Sequence, residues 1–591
     1  MTITRAASRA PRATVVGAAG LAIVLAAAAY WPTLGIGFVS DDFLILQRVS
    51  ELGGLQNAAA YFGLRHFEYY RPLAFLSFAG DWQLWARSAA GFHATALGLH
   101  VLNTLLVFAL SRQLMGTAGA LAAGALFAVH PSSHEAVIWI ASRFDVLATF
   151  WVLAGLVVLR WRAWRGGTLA AAACLAAVLS KESALAFPVI AGAYLVLVLG
   201  TNGRRLLGQL ALCSVSVGVY VALRQGAGLA SAGGAARLPK LGALTLLVLM
   251  LLVPAQLGWT RTWSLLGLDR RRARAVLAGA LALVGLLAYA GPAVGPVRRA
   301  LVSVAFGAIH LTSPVMLDWA VGTLPPTMWI VGLAALVAVT AALAAGWRHL
   351  LRLPQAVFLL VFLVAALVPV SSMTEGTRYV YLATVPAAMF VGLVIDRLTR
   401  SRRIVAGVLV VLVIAVNTWQ VRLKAADWMW ASQMTAKASA TINDALAGRC
   451  AGRDVVLITA PVRVRGVYSN LNLEGLDWLG ACAPASLTTL IRVGLDDPRI
   501  EVRWIDANTL EGLATNYGGG FVASRDGRHF DVPLDPGRTA RIRFPAGTLD
   551  TAPAGQDLTV RIRLDRPQTG SARAWFFFSK GALQRLAPRT R

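Results

Sequence analysis

Two adjacent carboxylates, Asp41 and Asp42, stand in the segment GFVSDDF shortly after the first apolar run of the chain. Charged side chains at a membrane surface are costly unless they have a partner or a task. One of the two could act as a general base while the other contacts a metal ion or an acceptor. The alternative is a solvated loop, or an N-cap for a following helix. The pair is therefore the first candidate catalytic site.

Two cations are candidates for contact with a phosphate group. Arg71 follows two tyrosines and precedes a proline in EYYRPL, and Lys181 stands beside Glu182 in LSKESA. An arginine binds phosphate with a planar fork and a lysine binds it as a point charge. The alternatives are an interfacial arginine that snorkels to the membrane surface and a simple salt bridge between Lys181 and Glu182. The residues alone leave both interpretations open.

A third polar segment, HPSSHEAVIWIASRFDVLATF, contains His130, His134, Glu135, Arg143 and Asp145. Helical spacing could bring Glu135 and Arg143 to one face. These groups could belong to a substrate site, or they could form an internal ion pair that joins helices. The two histidines resemble a metal pair, but the sequence has no HExxH motif and a proline intervenes, so we do not predict metal ligands here. Whether a divalent metal takes part is left open.

Further polar residues accompany later apolar runs. The motif SSMTEGTRYVYL carries Glu375, Arg378 and Tyr379 at the start of a predicted helix. Within FHATALGLHVLNTLL, His100 and Asn103 are one turn apart inside a predicted span. A polar pair at that depth predicts a hydrogen bond between helices.

The elements that position these residues are predicted to be membrane helices. The chain has 591 residues, of which 57% are hydrophobic and 14% are charged, whereas about 25% is usual for a soluble domain. Apolar runs long enough to cross a bilayer recur up to about residue 420. The net charge of +27 comes largely from arginines in short loops, as the positive-inside rule requires, so we expect no nucleic-acid partner.

Placing these arginine-rich loops in the cytoplasm gives a trace of about 13 transmembrane helices over residues 1–424. The strongest loop is DRRRAR, and the long loop at 34–90 falls outside. The first apolar run is long for a signal peptide and lacks a small-residue cleavage site, so we interpret it as a permanent helix with a cytoplasmic N-terminus. All the polar motifs then lie at the outer face.

The composition changes near residue 425. An amphipathic stretch is followed by the runs DVVLITA, TTLIRV, EVRWID, TARIRF, LTVRIRL and ARAWFFFS, which are typical of β-strands. Residues 425–591 are predicted to form a small soluble α/β or mainly-β domain outside the cytoplasm. Cys450 and Cys482 lie in it, and an oxidising compartment would permit a disulfide between them. Cys174 and Cys213 lie in apolar helices and are expected to be small packing residues.

Six motifs, taken in order, resemble the GT-C superfamily of glycosyltransferases that use polyprenyl-phosphate sugars, and within it the transmembrane O-mannosyltransferase-like groups. The motifs are FVSDDF, YYRPL, GLHVLNTLL, HPSSHEAVIWIASRFDVL, LSKES and TRYVYL. The resemblance implies an all-α, GT-C-like membrane domain that moves a sugar to an acceptor hydroxyl at the extracytoplasmic face. It departs from the eukaryotic members in lacking tetratricopeptide repeats and in the altered EGTRYVY segment.

By this resemblance Asp41 is the base, Asp42 helps to bind the acceptor, and Arg71 and Lys181 contact the donor phosphate. The other residues expected to bind substrate are His130, Glu135, Arg143, Asp145, Glu182, Glu375, Arg378 and Tyr379. The implied partners are a polyprenyl-phosphate-linked sugar, the lipid bilayer, and an acceptor that is a protein, lipid or glycan. The expected location is the bacterial inner membrane.

Two other classes of function stay open. A transporter or lipid flippase would carry its ionisable residues near the bilayer midplane, often on broken helices within inverted repeats. A non-enzymatic envelope assembly protein would act through its outer domain and would leave the polar motifs without a task. The position of the polar residues along the helices discriminates between these classes.

Overall fold

The computed structural model describes residues 11–63, 69–161, 164–201, 203–227, 353–367, 376–398 and 400–446, together with short stretches between 453 and 587. Helices are numbered in chain order within these residues. They are α1 (Arg12–Tyr30), α2 (Asp41–Glu51), α3 (Pro72–Trp85), α4 (Ala89–Leu114), α5 (Thr117–Ala128), α6 (His134–Ile138), α7 (Arg143–Val158), α8 (Trp164–Ser180), α9 (Phe187–Ala193), α10 (Gly203–Gly226), α11 (Pro354–Leu367), α12 (Tyr381–Arg397) and α13 (Arg400–Ala445).

Six helices in the described part of the chain are long and apolar enough to cross a membrane. These six are α1, α4, α7, α10, α12 and α13. Four further apolar helices in the described part are shorter. The prediction of a helical membrane domain is confirmed by these helices. The helices predicted near 241–259, 275–291 and 327–345 lie outside the described residues, so the total of thirteen stays a prediction.

The last span and the stretch after it form one helix. A span was predicted near 403–420, followed by an amphipathic stretch that leaves the membrane as a helix, and both belong to α13, which runs without a break for 46 residues, a length of about 69 Å. Residues 408–446 contain no glycine or proline, so nothing in the sequence interrupts the helix. The predicted domain boundary at 424 falls inside this helix, so the chain continues as one helix across it.

The polar motifs converge on one end of the helix bundle. Asp41 follows α1, Arg71 precedes α3, Lys181 follows α8, and Arg378 precedes α12, and the four side chains line one cavity. Helix α13 begins at the opposite end of the bundle, and its middle reaches this cavity, where Trp428 stacks on Trp139. The remainder of α13 rises beyond the cavity end.

Close packing and hydrogen bonds hold these helix ends together. A Cβ at Gly119 in α5 would lie 2.5 Å from the carbonyl oxygen of Gly392 in α12, so only glycine permits this approach. His100 Nδ1 is 2.8 Å from the Tyr381 hydroxyl, and Asn103 Nδ2 donates to the same hydroxyl at 3.2 Å. The predicted hydrogen bond between helices is thus confirmed, with its partner on α12.

In the described residues beyond α13, the chain forms two main sheets and a short hairpin. Its strands are β1 (Asp454–Pro461), β2 (Arg463–Val464), β3 (Val467–Tyr468), β4 (Ser486–Val493), β5 (Arg499–Trp504), β6 (Thr509–Tyr517), β7 (His529–Asp535), β8 (Arg538–Arg543), β9 (Gln556–Leu564), β10 (Arg573–Ser579) and β11 (Ala582–Arg585). The mixed sheet has the order β11-β10-β1-β4, and the antiparallel sheet has the order β5-β6-β9-β8-β7. All six runs that were predicted as strands lie on these elements.

Three layers build this part of the chain. The C-terminal third of α13 packs through Met434 and Ile442 on Val455 and Phe576 of the mixed sheet. The antiparallel sheet contacts the mixed sheet on its other side, where the Trp504 and Trp575 rings meet edge-on at 5.5 Å. The predicted disulfide between Cys450 and Cys482 falls outside the described residues and stays a prediction.

Candidate functional site

A cavity of about 210 Å³ lies where the polar motifs meet. A cavity of this size is comparable to a small ligand pocket. Its lining is Asp41, Leu44, Ile45, Tyr69, Arg71, Phe75, Trp139, Ala141, Ser142, Phe144, Asp145, Lys181, Glu182, Arg378 and Tyr379. Charged groups and aromatic rings thus share one small space.

Asp41 opens into this cavity from the first turn of α2. The residue before it, Ser40, has φ 50° and ψ −120°, a conformation that is uncommon and strained for a residue other than glycine. Ser40 Oγ donates to Asp41 Oδ1 at 3.4 Å, and no ion pair to Asp41 forms among the described residues. The surrounding protein raises the pKa of Asp41 by removing water, and Arg378 lowers it in part.

Asp42 points away from the cavity into the protein. Its Oδ2 accepts from the Val39 amide at 2.9 Å, and its Oδ1 accepts from the Ala141 amide at 2.7 Å. The second bond ties the start of α2 to the segment that leads into α7. Burial raises the pKa of Asp42 to about 8, so the environment separates the two adjacent carboxyl groups into one buried anchor and one open group.

Arg71 is held at the cavity wall by Glu182. Its Nε and Nη2 atoms lie 3.0 and 2.8 Å from Glu182 Oε2. The guanidinium also lies over the rings of Tyr69 and Phe144, at 4.2 and 4.8 Å from their centroids. Within the described residues Nη1 makes no hydrogen bond, so this arginine is oriented by its partners and keeps a donor for a ligand.

Lys181 is paired with Asp145 rather than with its neighbour in sequence. Its Nζ is 2.5 Å from Asp145 Oδ2 and 4.6 Å from the centroid of the Tyr379 ring. Burial lowers the pKa of Lys181 to about 8, although the Asp145 carboxylate opposes this shift and Arg71 adds to it. One hydrogen bond to Asp145 leaves further ammonium hydrogens for a ligand in the cavity.

Arg378 completes the set of cations. It forms an ion pair with Glu135, whose Oε2 also accepts from the Arg378 amide at 3.0 Å. Its guanidinium lies 4.9 Å from the Trp139 ring centroid and 4.4 Å from that of Tyr379. Trp139 is stacked in turn on Trp428 of α13. We name Asp41 with the three pairs Arg71–Glu182, Lys181–Asp145 and Arg378–Glu135 the cavity cluster.

Arg143, which was predicted to contact substrate, lies in the protein core. Its side chain is 0% exposed, its Nη2 is 2.5 Å from Asp81 Oδ2, and it donates to the Phe92 carbonyl at 2.9 Å. It does not line the cavity. His130 is also outside the cavity lining, and its Nδ1 accepts from the Ser132 amide at 3.3 Å. Helical spacing had suggested Glu135 as the partner of Arg143, but each belongs to a different pair.

Several lining residues were missed from the sequence. Trp139, Phe144 and Tyr69 form the aromatic wall, and Asp81 is the partner of Arg143. Trp139 and Phe144 stand inside the third polar segment, so their proximity to its charged residues was an available signal. Asp81 stands alone in an apolar helix and offered none. Glu375 lies outside the described residues, so its role stays a prediction.

The described residues contain no group of three or more His, Cys, Asp or Glu side chains arranged to hold a metal ion. His130 and His134 are engaged separately: His134 Nδ1 accepts from Trp428 Nε1 at 3.4 Å, and His134 Nε2 is 3.2 Å from Thr377 Oγ1.

Comparison with known proteins finds relatives of one kind, although no family model matches the chain. Protein O-mannosyl-transferase Tmtc1 of Drosophila melanogaster is 33% identical over 195 residues, which are 30% of this chain and 22% of that protein. Tmtc2 of the same fly is 36% identical over 185 residues, 27% of this chain and 20% of that protein. The predicted resemblance to O-mannosyl-transferases is confirmed. The match spans about a fifth of the length of these two relatives.

Solved structures show a weaker likeness. ArnT from Cupriavidus metallidurans has a TM-score of 0.43 and 12% identity, over 80% of this chain and 85% of ArnT. The oligosaccharyltransferase AglB from Archaeoglobus fulgidus, solved with an inhibitory peptide and a dolichol-phosphate, has a TM-score of 0.45 and 13% identity, over 80% of this chain and 64% of AglB.

Proposed function

We propose that the chain is a membrane glycosyltransferase that moves a sugar from a polyprenyl-phosphate carrier to an acceptor hydroxyl. The observation that carries this proposal is the cavity cluster, in which one open carboxylate, Asp41, shares a small cavity with three oriented cations. The named relatives, which are O-mannosyl-transferases, support the same class of reaction. The predicted extracytoplasmic face belongs to this proposal.

The chemistry requires one base and several cations. The acceptor oxygen attacks C1 of the sugar, the bond from C1 to the phosphate oxygen breaks, and polyprenyl phosphate leaves with the electron pair. Asp41 takes the acceptor proton. General-base catalysis of this kind typically raises the rate of reaction about 10²–10⁴-fold. Arg71, Lys181 and Arg378 stabilise the charge that develops on the leaving phosphate. Direct attack of this kind inverts the configuration at C1.

The pairs in the cavity cluster suit this task because they orient each cation before a ligand binds. A fixed guanidinium or ammonium group needs little reorganisation when charge develops beside it. The aromatic wall formed by Tyr69, Trp139 and Phe144 gives the non-reacting surface of a sugar an apolar partner. The small volume leaves the polyprenyl tail outside, in the bilayer.

A transporter or flippase is less well supported by this arrangement. Such proteins place ionisable groups near the bilayer midplane, whereas Asp41, Arg71, Lys181 and Arg378 all stand at the ends of helices. A non-enzymatic assembly role leaves the strained backbone at Ser40 and the open carboxylate of Asp41 without a use.

The proposal is tested by incubating the purified full-length protein with a panel of radiolabelled polyprenyl-phosphate sugars and a pool of protein, lipid and glycan acceptors, and analysing the products. We expect one donor to be consumed by the wild type, and Asp41→Asn to reduce transfer by about two to four decades without loss of folding. The matched control is Glu51→Gln, at the exposed far end of the same helix, which should transfer normally.

Two results would count against the proposal. If no donor of the panel is consumed above a protein-free blank while the protein is folded, the class of reaction is wrong. If the Asp41→Asn variant turns over like the wild type, the reaction class can stand but the base is another group.

A further inference from the structure

The antiparallel sheet carries a basic outer face that the proposed reaction does not use. Arg499, Arg503, Arg561 and Arg563 are exposed, and the side chains of Arg503 and Arg561 keep 76% and 71% exposure although both are paired with Glu511. The residues that alternate with them, among them Ile562, are buried. The sheet is therefore amphipathic, with arginines on its solvent side.

The register of the strands aligns these arginines in rows. Arg503 is opposite Glu511, and Glu511 is opposite Arg561. On the next strand Arg543 is opposite Arg561, and Arg541 is opposite Arg563. Neighbouring strands lie about 4.8 Å apart, and alternate residues along one strand lie about 6.8 Å apart. Arg499 is opposite Thr515, and Asp531 is opposite Arg541, so the face carries arginine positions on three strands with Glu511 and Asp531 among them.

The layers turn this face away from the bundle. Helix α13 covers one side of the mixed sheet, and the antiparallel sheet covers the other, where the Ile500 amide donates to Ser579 Oγ at 2.9 Å. Because a helix lies flat on the sheet that it packs against, the sheets run along the axis of α13 and not beneath it. The basic face therefore lies on the side of the antiparallel sheet that is away from the mixed sheet and from α13.

We propose that this face is a docking surface for a linear acidic polysaccharide with one negative charge per sugar. Charge complementarity carries the choice, since a guanidinium group binds carboxylate through two parallel hydrogen bonds. A nucleic acid fits less well, because no Phe, Tyr or Trp is directly opposite Arg499, Arg503, Arg561 or Arg563 in the described strand registers, whereas bases stack on such rings. The surface is independent of the cavity and of the reaction proposed for it.

The test is binding of fluorescent polygalacturonate to the full-length protein in nanodiscs of neutral lipid, with dextran as the uncharged polymer. We expect binding of polygalacturonate alone, and an affinity that falls by at least about tenfold between roughly 50 and 200 mM salt. Replacement of Arg499, Arg503, Arg561 and Arg563 by glutamine should weaken binding by about thirtyfold. The matched control replaces Arg453 and Lys580, which lie on the mixed-sheet side, and should bind normally.

A second variant protects the test against misfolding. Arg499→Gln with Arg563→Gln removes two arginines that take no part in the Glu511 ion pairs, so the sheet should keep its structure while binding falls by about fivefold. The proposal fails if the wild type does not bind polygalacturonate or if the fourfold variant binds it like the wild type. It also fails if the wild type binds nanodiscs of anionic lipid but not polygalacturonate. Transfer activity is not measured, so this outcome is separate from that of the proposed reaction.

Discussion

The cavity cluster and the Arg143–Asp81 pair contain the same residue types but occupy different environments. Arg71 stands at a cavity wall with a donor that the described residues leave unused, and its side chain is 10% exposed. Arg143 is completely buried, with its guanidinium between Asp81, the Phe92 carbonyl and the ring of Phe78. Both arginines were predicted to bind substrate. Only the packing around each one separates a residue placed to meet a ligand from one that joins helices.

Because of this difference, we expect the loss of Arg143 to change the free energy of unfolding and the loss of Arg71 to change ligand binding. A buried ion pair contributes little net stability, but the loss of one partner leaves an uncompensated charge in the protein. A cation in the cavity is surrounded by groups that already fix its orientation, so its loss should appear in ligand binding. The predictions below test whether stability and binding separate in this way.

The largest effect is expected for Arg143→Met. This change leaves Asp81 buried without its partner, and such losses cost about 3–5 kcal/mol. The free energy of unfolding, measured by denaturation in mixed micelles, should fall by this amount. The control is Arg165→Met at the exposed start of α8, which should leave it unchanged.

The double variant Arg143→Met with Asp81→Asn tests the same ion pair by removing both of its charges. Removing both charges should restore most of the lost stability, because no unpaired charge then remains. If the Arg143→Met variant is as stable as the wild type but inactive, Arg143 contacts substrate after all and the comparison is wrong.

Much of the architecture could be predicted from the sequence because its signals are local. Long apolar runs predicted membrane helices, and short or alternating runs predicted the strands of the outer part. The segment predicted as a long loop at 34–90 instead contains the helices α2 and α3. The candidate site residues were also predicted to lie together at one face of the membrane domain. Asp41, Arg71, Lys181 and Arg378 do line one cavity. These residues stand at the ends of apolar runs, where the periodicity of the chain is informative.

The pairing of charges could not be predicted, because it depends on contacts between distant helices. Lys181 is adjacent to Glu182, yet it bonds to Asp145, while Glu182 bonds to Arg71. Two adjacent residues at a helix end point in different directions, and only the neighbouring helices determine which partner each one meets. The buried position of Asp42 has the same origin in part, since its Oδ1 accepts from the backbone amide of Ala141, a residue distant in the sequence, while its Oδ2 accepts from the nearby Val39 amide.

The second largest effect is expected for Arg71→Lys. The change retains a charge beside Glu182 but removes the planar fork, so folding should be intact while the KM for the donor rises by roughly tenfold. Steady-state kinetics at fixed acceptor provide the measurement. Arg48→Lys, in the last turn of α2 and paired with Glu51, is the control, because Arg48 is partly exposed and does not line the cavity. An unchanged donor KM in the Arg71→Lys variant would transfer the main phosphate contact to Lys181 or Arg378.

A pH profile probes the third member of the cavity cluster. Lys181 is protonated below its pKa of about 8, so donor use should decline as the pH rises through that value. Activity should also rise as Asp41 loses its proton at lower pH, which gives a bell-shaped profile of kcat/KM. Lys181→Arg keeps a proton to above about pH 10 and should remove the alkaline limb. If the limb stays in place in this variant, a different group titrates there.

The smallest effect is expected for Trp428, which is not a member of the cavity cluster and contacts its neighbours Trp139 and His134. Trp428 stacks on Trp139 with ring centroids 5.8 Å apart, and Trp139 in turn lies under the guanidinium of Arg378. An aromatic pair of this kind contributes about 0.5–1.5 kcal/mol, so Trp428→Leu should raise the donor KM by roughly threefold and leave kcat unchanged. Trp419→Leu is the matched control, because Trp419 belongs to the same helix and is 61% exposed. A fall in kcat with an unchanged KM would mean that α13 acts on the chemical step and not on the position of Arg378. A donor KM equal to that of the wild type would mean that α13 only supports the outer part of the chain, and the cavity cluster would then be complete within the helix bundle.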